Sequence, residues 1–156
     1  MKLQTANDND CVAASVAMLI GVNHTTVKEA LWPDPPVYPF PEPWQVCPLV
    51  PCMDIICDWL YTEHKVALTP FAFDPHVTPH KDCPPVSACD EDPMSLFEGQ
   101  LAYGPGLIEG VYSGVGHMCA WDGNVIYDPH GYKYSLNAAG RFNFTPTRFW
   151  LASWLQ

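Results

Sequence analysis

The sequence predicts an α+β fold, with helices in the first part of the chain and antiparallel strands in the last part. Residues 12–20 form an almost wholly apolar run that ends at Gly21, which is typical of a helix buried on all sides. Much later, Asp122-Gly123 stands between two alternating apolar runs, the strongest short-range signal for a β-hairpin. These observations and the order of the elements favour a sheet of antiparallel strands with helices packed against it.

A second, shorter helix is expected to follow the apolar one. Thr25 or Thr26 can cap it, and it runs to Leu31 before Pro33 closes it. Fourteen of the seventeen prolines then fall within residues 33–93, so an irregular segment is expected to begin there.

We therefore expect a single domain, residues 1–156, that is interrupted by a proline-rich irregular excursion at about 33–91. Inside this excursion, residues 53–60 have the amphipathic pattern of a helix. Residues 65–71 alternate like a strand.

The last third of the chain is predicted to return to regular structure. Asp92-Pro93 is a strong start signal for a short helix that reaches Leu101. Residues 106–113 have the pattern of a strand, and residues 141–156 have that of a strand with a packed aromatic tail.

The predicted hairpin sets an imidazole beside a carboxylate. If Asp122 and Gly123 form the loop, His117 lies directly opposite Asp128 on the neighbouring strand, with Cβ atoms about 4.5–5.5 Å apart. A carboxylate on one ring nitrogen fixes the tautomer and favours the imidazolium, and the other nitrogen can then accept a thiol proton. This arrangement is the second half of a nucleophilic triad.

Cys11 stands at the first turn of the predicted buried helix and would supply the thiol. Its thiolate would gain from unpaired backbone N–H groups, from the helix dipole and from a neighbouring imidazolium. Asp8 and Asp10 act in the opposite direction, since nearby negative charge raises a thiol pKa. A cysteine in an apolar helix is more often a packing residue, so the case for catalysis rests on the combination with the His117–Asp128 pair.

Two further residues near the hairpin are alternatives to this assignment. His130 lies two residues past Asp128 and is the main rival as a base, although it stands beyond a proline and outside the strand. Cys119 lies on the same face as His117, but too close along one strand to be the thiol that this imidazole activates.

Two segments of the chain resemble a known family. "QTANDNDCVAASVAMLIG", residues 4–21, is similar to the nucleophile segment of the C39-like branch of papain-type cysteine peptidases, where a glutamine precedes a cysteine at the start of a central helix. "GHMCAWDGNVIYDPHG", residues 116–131, resembles the second segment of that branch, with a Gly-His opening one strand and an Asp-Pro closing the next. The resemblance covers roughly residues 1–31 and 92–131. It implies a papain-like cysteine proteinase fold, with the cysteine helix packed on a C-terminal antiparallel sheet that carries the histidine and the aspartate.

The resemblance also implies roles for individual residues. Cys11 would be the nucleophile, His117 the general base and acid, and Asp128 the orienting carboxylate. Gln4 would donate to the oxyanion, with the backbone N–H of Cys11 as the second donor.

The chain departs from the family pattern at two positions. Gln4 lies seven residues before Cys11, where the family usually shows six, so Asn7 or Asn9 could replace it as the donor. Val12 stands where a glycine often follows the nucleophile, which would reshape the cleft.

The predicted function is that of a stand-alone cysteine hydrolase that cleaves a peptide or isopeptide bond through an acyl-enzyme, without a cofactor. An amidase, deamidase or acyltransferase could use the same triad. A non-catalytic binding or inhibitor module on the same scaffold is the alternative from another class.

Composition bears on the partners and the compartment. Seventeen acidic and seven basic residues give a net charge of −10, which disfavours nucleic acid and anionic lipid surfaces as partners and favours a basic or neutral peptide or protein substrate. The N-terminus lacks the apolar core of a signal peptide, and no run approaches the roughly 20 apolar residues that span a bilayer. Seven cysteines, an odd number, favour reduced thiols and a cytoplasmic location. The oligomeric state stays open.

The excursion contains a group of residue types that can bind a metal ion. Two imidazoles and two thiols within fourteen residues could close a tetrahedral zinc site, at His76, His80, Cys83 and Cys89. Their spacing matches no common zinc signature, so a solvated loop is the default interpretation and no metal is predicted. Cys47, Cys52 and Cys57 are interpreted as packing residues.

Overall fold

One antiparallel sheet organises the part of the chain that the computed structural model describes, residues 1–6, 10–32, 53–72 and 98–156. The described residues contain the α-helices α1 (Cys11–Ile20), α2 (His24–Leu31) and α3 (Met53–His64). Residues 98–101 are also helical and end at the predicted Leu101. The strands are β1 (Val66–Ala72), β2 (Gly106–Tyr112), β3 (Val115–Trp121), β4 (Ile126–Asp128), β5 (Tyr132–Tyr134) and β6 (Phe144–Trp154). A 3₁₀ helix, Leu136–Phe142, precedes β6.

The strand order is β1-β6-β2-β3-β4-β5, and every neighbouring pair is antiparallel. The predicted α+β class is therefore confirmed. The predicted C-terminal strand forms as β6, which lies inside the sheet between β1 and β2 rather than at its edge.

The apolar run near the N-terminus forms the predicted buried helix. Nine consecutive residues of α1, from Cys11 to Leu19, are buried. The helix ends at Gly21, whose φ of 78° is the left-handed conformation that glycine adopts without steric cost, and the Gly21 N–H donates to the Ala17 carbonyl at 2.9 Å.

The cap predicted for the second helix is wrong. Asn23 caps α2, because it stands in extended conformation one residue before the helix and its side-chain oxygen accepts from the Thr25 N–H at 3.0 Å. Thr25 and Thr26 lie inside the first turn instead. Pro33 lies outside the described residues.

Part of the predicted irregular excursion is regular structure that belongs to the core. Residues 53–72 form α3, which extends four residues beyond the predicted end, and β1, which pairs with β6 along its length. Ile56 and Leu60 of α3 are fully buried. An amphipathic helix followed by an alternating strand has apolar surface to bury, so this segment packs. The rest of the excursion lies outside the described residues, as does the predicted helix start at Asp92-Pro93.

The two faces of the sheet carry separate apolar clusters. One cluster joins α1, α2 and α3 to sheet residues that include Leu107 and Met118. The other lies on the opposite face and includes Ile108 and Cys119, next to the 3₁₀ helix. Since successive residues of a strand point to opposite faces, His117 points away from the helices.

Among the described helices, none has by itself both the length and the apolar content to cross a bilayer. The consecutive helices α1 and α2, bent by 116°, meet that criterion only when they are taken together, on length and composition alone.

Candidate active site

The hairpin that carries the site has a longer loop than predicted. Ala120 pairs with Tyr127 and Trp121 with Ile126, so the loop comprises the four residues 122–125. The Asp122 carboxylate accepts from the backbone N–H groups of Asn124 at 2.9 Å and Val125 at 2.8 Å, and these bonds hold the longer loop. The predicted register is therefore wrong by two residues, and a two-residue shift leaves every side chain on its predicted face.

The predicted histidine–aspartate pair forms across this hairpin in spite of the shift. His117 Nε2 lies 3.0 Å from Asp128 Oδ1, and both side chains are buried. The ladder, continued by one residue, sets Cys119 opposite Asp128, so His117 reaches the carboxylate diagonally. Diagonal neighbours on one face lie within reach of long and aromatic side chains.

Asp128 is the centre of the cluster. Its Oδ1 also accepts from the His130 backbone N–H at 2.9 Å and lies 3.2 Å from His130 Nδ1. Its Oδ2 accepts from the Tyr134 hydroxyl at 2.8 Å. Burial alone would raise the pKa of Asp128, but the hydrogen bonds from His117, the His130 N–H and Tyr134 outweigh burial and lower the pKa. The group is therefore a carboxylate at neutral pH.

His117 is held as an imidazolium. Burial alone would lower its pKa, but hydrogen bonds with Asp128, and then with the thiols of Cys11 and Cys119, raise the pKa above its ordinary value. The ring stacks on the His130 ring, with centroids 4.5 Å apart and an interplanar angle of 8°. Phe144 meets the His117 ring edge-on at 5.8 Å.

Cys11 lies close enough to His117 for its thiol to contribute to the raised pKa of the imidazole. It is the first residue of α1 and is 5% exposed. The β3–β4 ladder covers only Ala120 and Trp121, so the nearer half of β3 has no strand on that side in the described part of the chain. Because Asp128 holds Nε2, Nδ1 is the ring nitrogen left for a sulfur.

Ser15 fixes α1 against this edge. It lies one helical turn after Cys11, is fully buried, and its hydroxyl donates to the carbonyl oxygen of Met118 at 2.8 Å. Because Met118 directly follows His117, this hydrogen bond fixes the position of the first turn of α1, which carries Cys11, along β3 relative to His117. Ser15 was not singled out from the sequence, although it is the one polar residue inside the apolar run and could have been found by that signal.

Cys119 is the site residue that the sequence argument set aside. It is fully buried, contacts His117, and its sulfur lies 3.9 Å from the Tyr134 hydroxyl oxygen. Burial raises its pKa to about 11, so it stays a neutral thiol beneath the pair. Tyr134 was also missed, because β5 was not predicted.

Gln4 is not brought to the thiol. Its amide nitrogen donates to the Val22 carbonyl at 2.6 Å, and its amide oxygen accepts from the His24 N–H at 2.8 Å. Both partners lie beyond the C-terminal end of α1, whereas Cys11 lies at the N-terminal end. Gln4 therefore ties α1 to α2. Asn7 and Asn9, the alternative donors, lie outside the described residues.

The cluster also has residue types that bind metal ions. In the described residues, one ligand atom each from His117, Cys119 and Asp128 lies within 4.8 Å of the others. However, both Asp128 oxygens already accept hydrogen bonds from N–H or O–H donors. This arrangement suits a carboxylate paired with an imidazolium better than one that binds a metal ion. The other candidate ligands, His76, His80, Cys83 and Cys89, lie outside the described residues.

Comparison with known proteins found no match for this chain among family models, curated proteins or solved structures.

Proposed function

We propose that this protein is a cysteine hydrolase that cleaves a peptide or isopeptide bond, with Cys11, His117 and Asp128 as its triad. The observation that carries the proposal is the His117–Asp128 pair, in which Asp128 Oδ1 lies 3.0 Å from Nε2 of an imidazole whose pKa is also raised by the nearby thiol of Cys11. Residues far apart in the sequence meet in the order that nucleophilic catalysis requires, namely nucleophile, base and orienting acid.

The proposed reaction has two halves. An imidazolium beside a thiol favours the thiolate, so Cys11 attacks the substrate carbonyl carbon, and His117 gives its proton to the leaving nitrogen as the carbon–nitrogen bond breaks. A water molecule then loses a proton to His117 and attacks the thioester. The carbon–sulfur bond breaks, and the acid product leaves.

Stabilisation of the oxyanion falls to the backbone N–H of Cys11, at the start of α1. Gln4 is engaged elsewhere, and the loss of one such donor typically costs about 10²–10³ in rate. With the oxyanion donors that the described residues supply, we therefore propose that the enzyme turns over slowly.

The wider predictions belong to the same proposal. A buried helix that presents a cysteine to an antiparallel sheet carrying a histidine and an aspartate supports a papain-like arrangement. An activated thiol needs a reducing compartment, which supports the cytoplasm. The net charge of −10 supports a neutral or basic peptide or protein substrate and disfavours nucleic acid and anionic membranes.

A binding or inhibitor module on this scaffold is the second candidate. Two observations favour it: Cys11 is only 5% exposed, and Gln4 is bonded at the far end of α1. In that case, the buried cluster would be a structural ion pair. An amidase, deamidase or acyltransferase would use the same triad on another acceptor.

Acyl transfer can be tested with p-nitrophenyl acetate. The protein should release a burst of p-nitrophenol and gain the mass of one acetyl group at Cys11. Cys11→Ser and His117→Ala should each abolish the burst, whereas Cys57→Ser, in α3, should keep it. A protein that gains no acetyl group at Cys11 would favour the binding module.

Mass spectrometry of candidate peptides then separates the enzyme classes. Cleavage of the chain identifies a peptidase, and conversion of a side-chain amide to an acid identifies a deamidase.

A further inference from the structure

A cavity of about 240 Å³ opens beside the imidazole of the site. The cavity is bounded by the turn of the β2–β3 hairpin and by His130, whose ring stacks on His117. Its lining consists of Tyr112, Ser113, Val115, Gly116, His117 and His130.

The hairpin turn determines which side chains line the cavity. Ser113 and Gly114 have φ values of 47° and 86°, the two left-handed residues of a tight turn, and Tyr112 is paired with Val115 across it. Because paired residues share a face, as do residues two apart on one strand, Tyr112, Val115 and His117 all project to the same side.

The walls of the cavity are largely aromatic and aliphatic, with the Ser113 hydroxyl and the imidazolium of His117 as polar groups. The Tyr112 ring lies 4.5 Å from the His130 ring and 5.5 Å from the His117 ring, and Val115 is 68% exposed at the mouth. None of the lining residues is an aspartate, glutamate, lysine or arginine. An apolar cavity of about 150 Å³ is enough for benzene, and drug-sized ligands occupy about 300–1,000 Å³. The volume therefore suits one aromatic or branched apolar side chain.

The position of the cavity relative to the triad assigns it to one side of the substrate. It is lined by His117, which gives its proton to the leaving group, and its lining does not include Cys11. We propose that this cavity binds an aromatic or branched apolar side chain on the leaving-group side of the scissile bond. The proposal rests on the hydrolase function and adds a substrate class to it.

Two matched alkylating reagents, N-methylchloroacetamide and N-benzylchloroacetamide, test this selectivity. Each forms one carbon–sulfur bond at Cys11 and releases chloride. The benzyl reagent should react roughly tenfold faster, on the order expected for burial of an aromatic ring. Val115→Asn should bring the ratio of the two rate constants close to one.

Val111→Asn is the matched control, because Val111 is another exposed valine of the same hairpin and points to the opposite face. It should leave both rate constants unchanged. Equal rate constants in the unsubstituted protein would overturn the cavity proposal and leave the activated thiol standing. If Cys11 reacts no faster than Cys57 with either reagent, the proposed function fails, and the cavity proposal fails with it.

Direct binding separates the two claims. In Cys11→Ala, unreactive N-benzylacetamide should shift the NMR signals of the His117 and His130 rings, whereas N-methylacetamide should not. The absence of such a shift would overturn the cavity proposal independently of the thiol chemistry.

Discussion

Asp128 shows how a buried carboxylate can be retained in this protein. Its oxygens accept from His117, from the His130 N–H and from Tyr134, so the cost of its burial is offset by charge-assisted hydrogen bonds. Removal of one partner from a buried ion pair leaves the other charge uncompensated. The stability of the protein should therefore depend on the negative charge of Asp128.

Asp128→Asn should lower the free energy of unfolding at pH 6 by about 3–5 kcal/mol, the usual cost of breaking a buried pair. Urea denaturation measures this change. Asp58→Asn, at an exposed position of α3, is the control and should stay within about 0.5 kcal/mol. An equal, small effect of the two substitutions would show that the buried pair carries no stability.

The pair also predicts how stability depends on pH. The pKa of His117 is raised on folding, so its contribution is complete below the unfolded value of about 6.5 and is lost as pH rises through the folded value. The pKa of Asp128 is lowered, so its contribution is complete above about 3.9 and is lost as pH falls. The free energy of unfolding should therefore be greatest between about pH 3.9 and about pH 6.5. It should depend less on pH in Asp128→Asn. The titratable groups that face this imidazole are Cys11, Cys119, Asp128, His130 and Tyr112.

At the scale of elements, the hydrogen bond of Ser15 connects α1 to β3. Ser15 donates to the Met118 carbonyl, and the two bonded residues lie beside the two groups that must meet, Cys11 and His117. The rest of the helix beyond Cys11 is apolar, so without the Ser15 bond packing alone would leave the position of the helix along β3 less defined.

Ser15→Ala should lower the free energy of unfolding by about 1–3 kcal/mol, because a buried carbonyl loses its donor. It should also lower the alkylation rate of Cys11 relative to Cys57, which a purely structural role would not change. Thr62→Ala removes a comparable hydroxyl-to-carbonyl bond on the exposed side of α3 and should change neither quantity. An unchanged labelling ratio in Ser15→Ala would contradict its role in positioning the cysteine.

The same elements show what the sequence could and could not predict. The apolar run, its terminal glycine and the period-two pattern of β3 are local signals, so α1 and the faces of His117 and Cys119 were predictable. The register was not, because the Asp122 carboxylate holds a four-residue loop through two backbone N–H groups. The position of Gln4 was not predictable either, since it depends on how the chain packs against the α1–α2 junction.

For the whole molecule, the site depends on how the sheet is assembled. The C-terminal strand β6 lies between β1 and β2, and the helices cover one face while His117 points to the other. In the proposed site, Cys11 therefore reaches His117 past the edge of β3 that β4 leaves unpaired. Local sequence patterns do not determine how separate elements pack, so the spacing of residues alone could not predict whether Cys11 lies near His117.

The most direct test of the account is the rate of alkylation of individual cysteines by iodoacetamide near neutral pH, read by peptide mass spectrometry. Cys11 is almost wholly buried and Cys57 is partly exposed, so access alone predicts that Cys57 reacts first. The account predicts the reverse, with Cys11 at least about tenfold faster and this advantage lost in His117→Ala. A Cys11 that reacts no faster than Cys57, or equally fast without the imidazole, would contradict it.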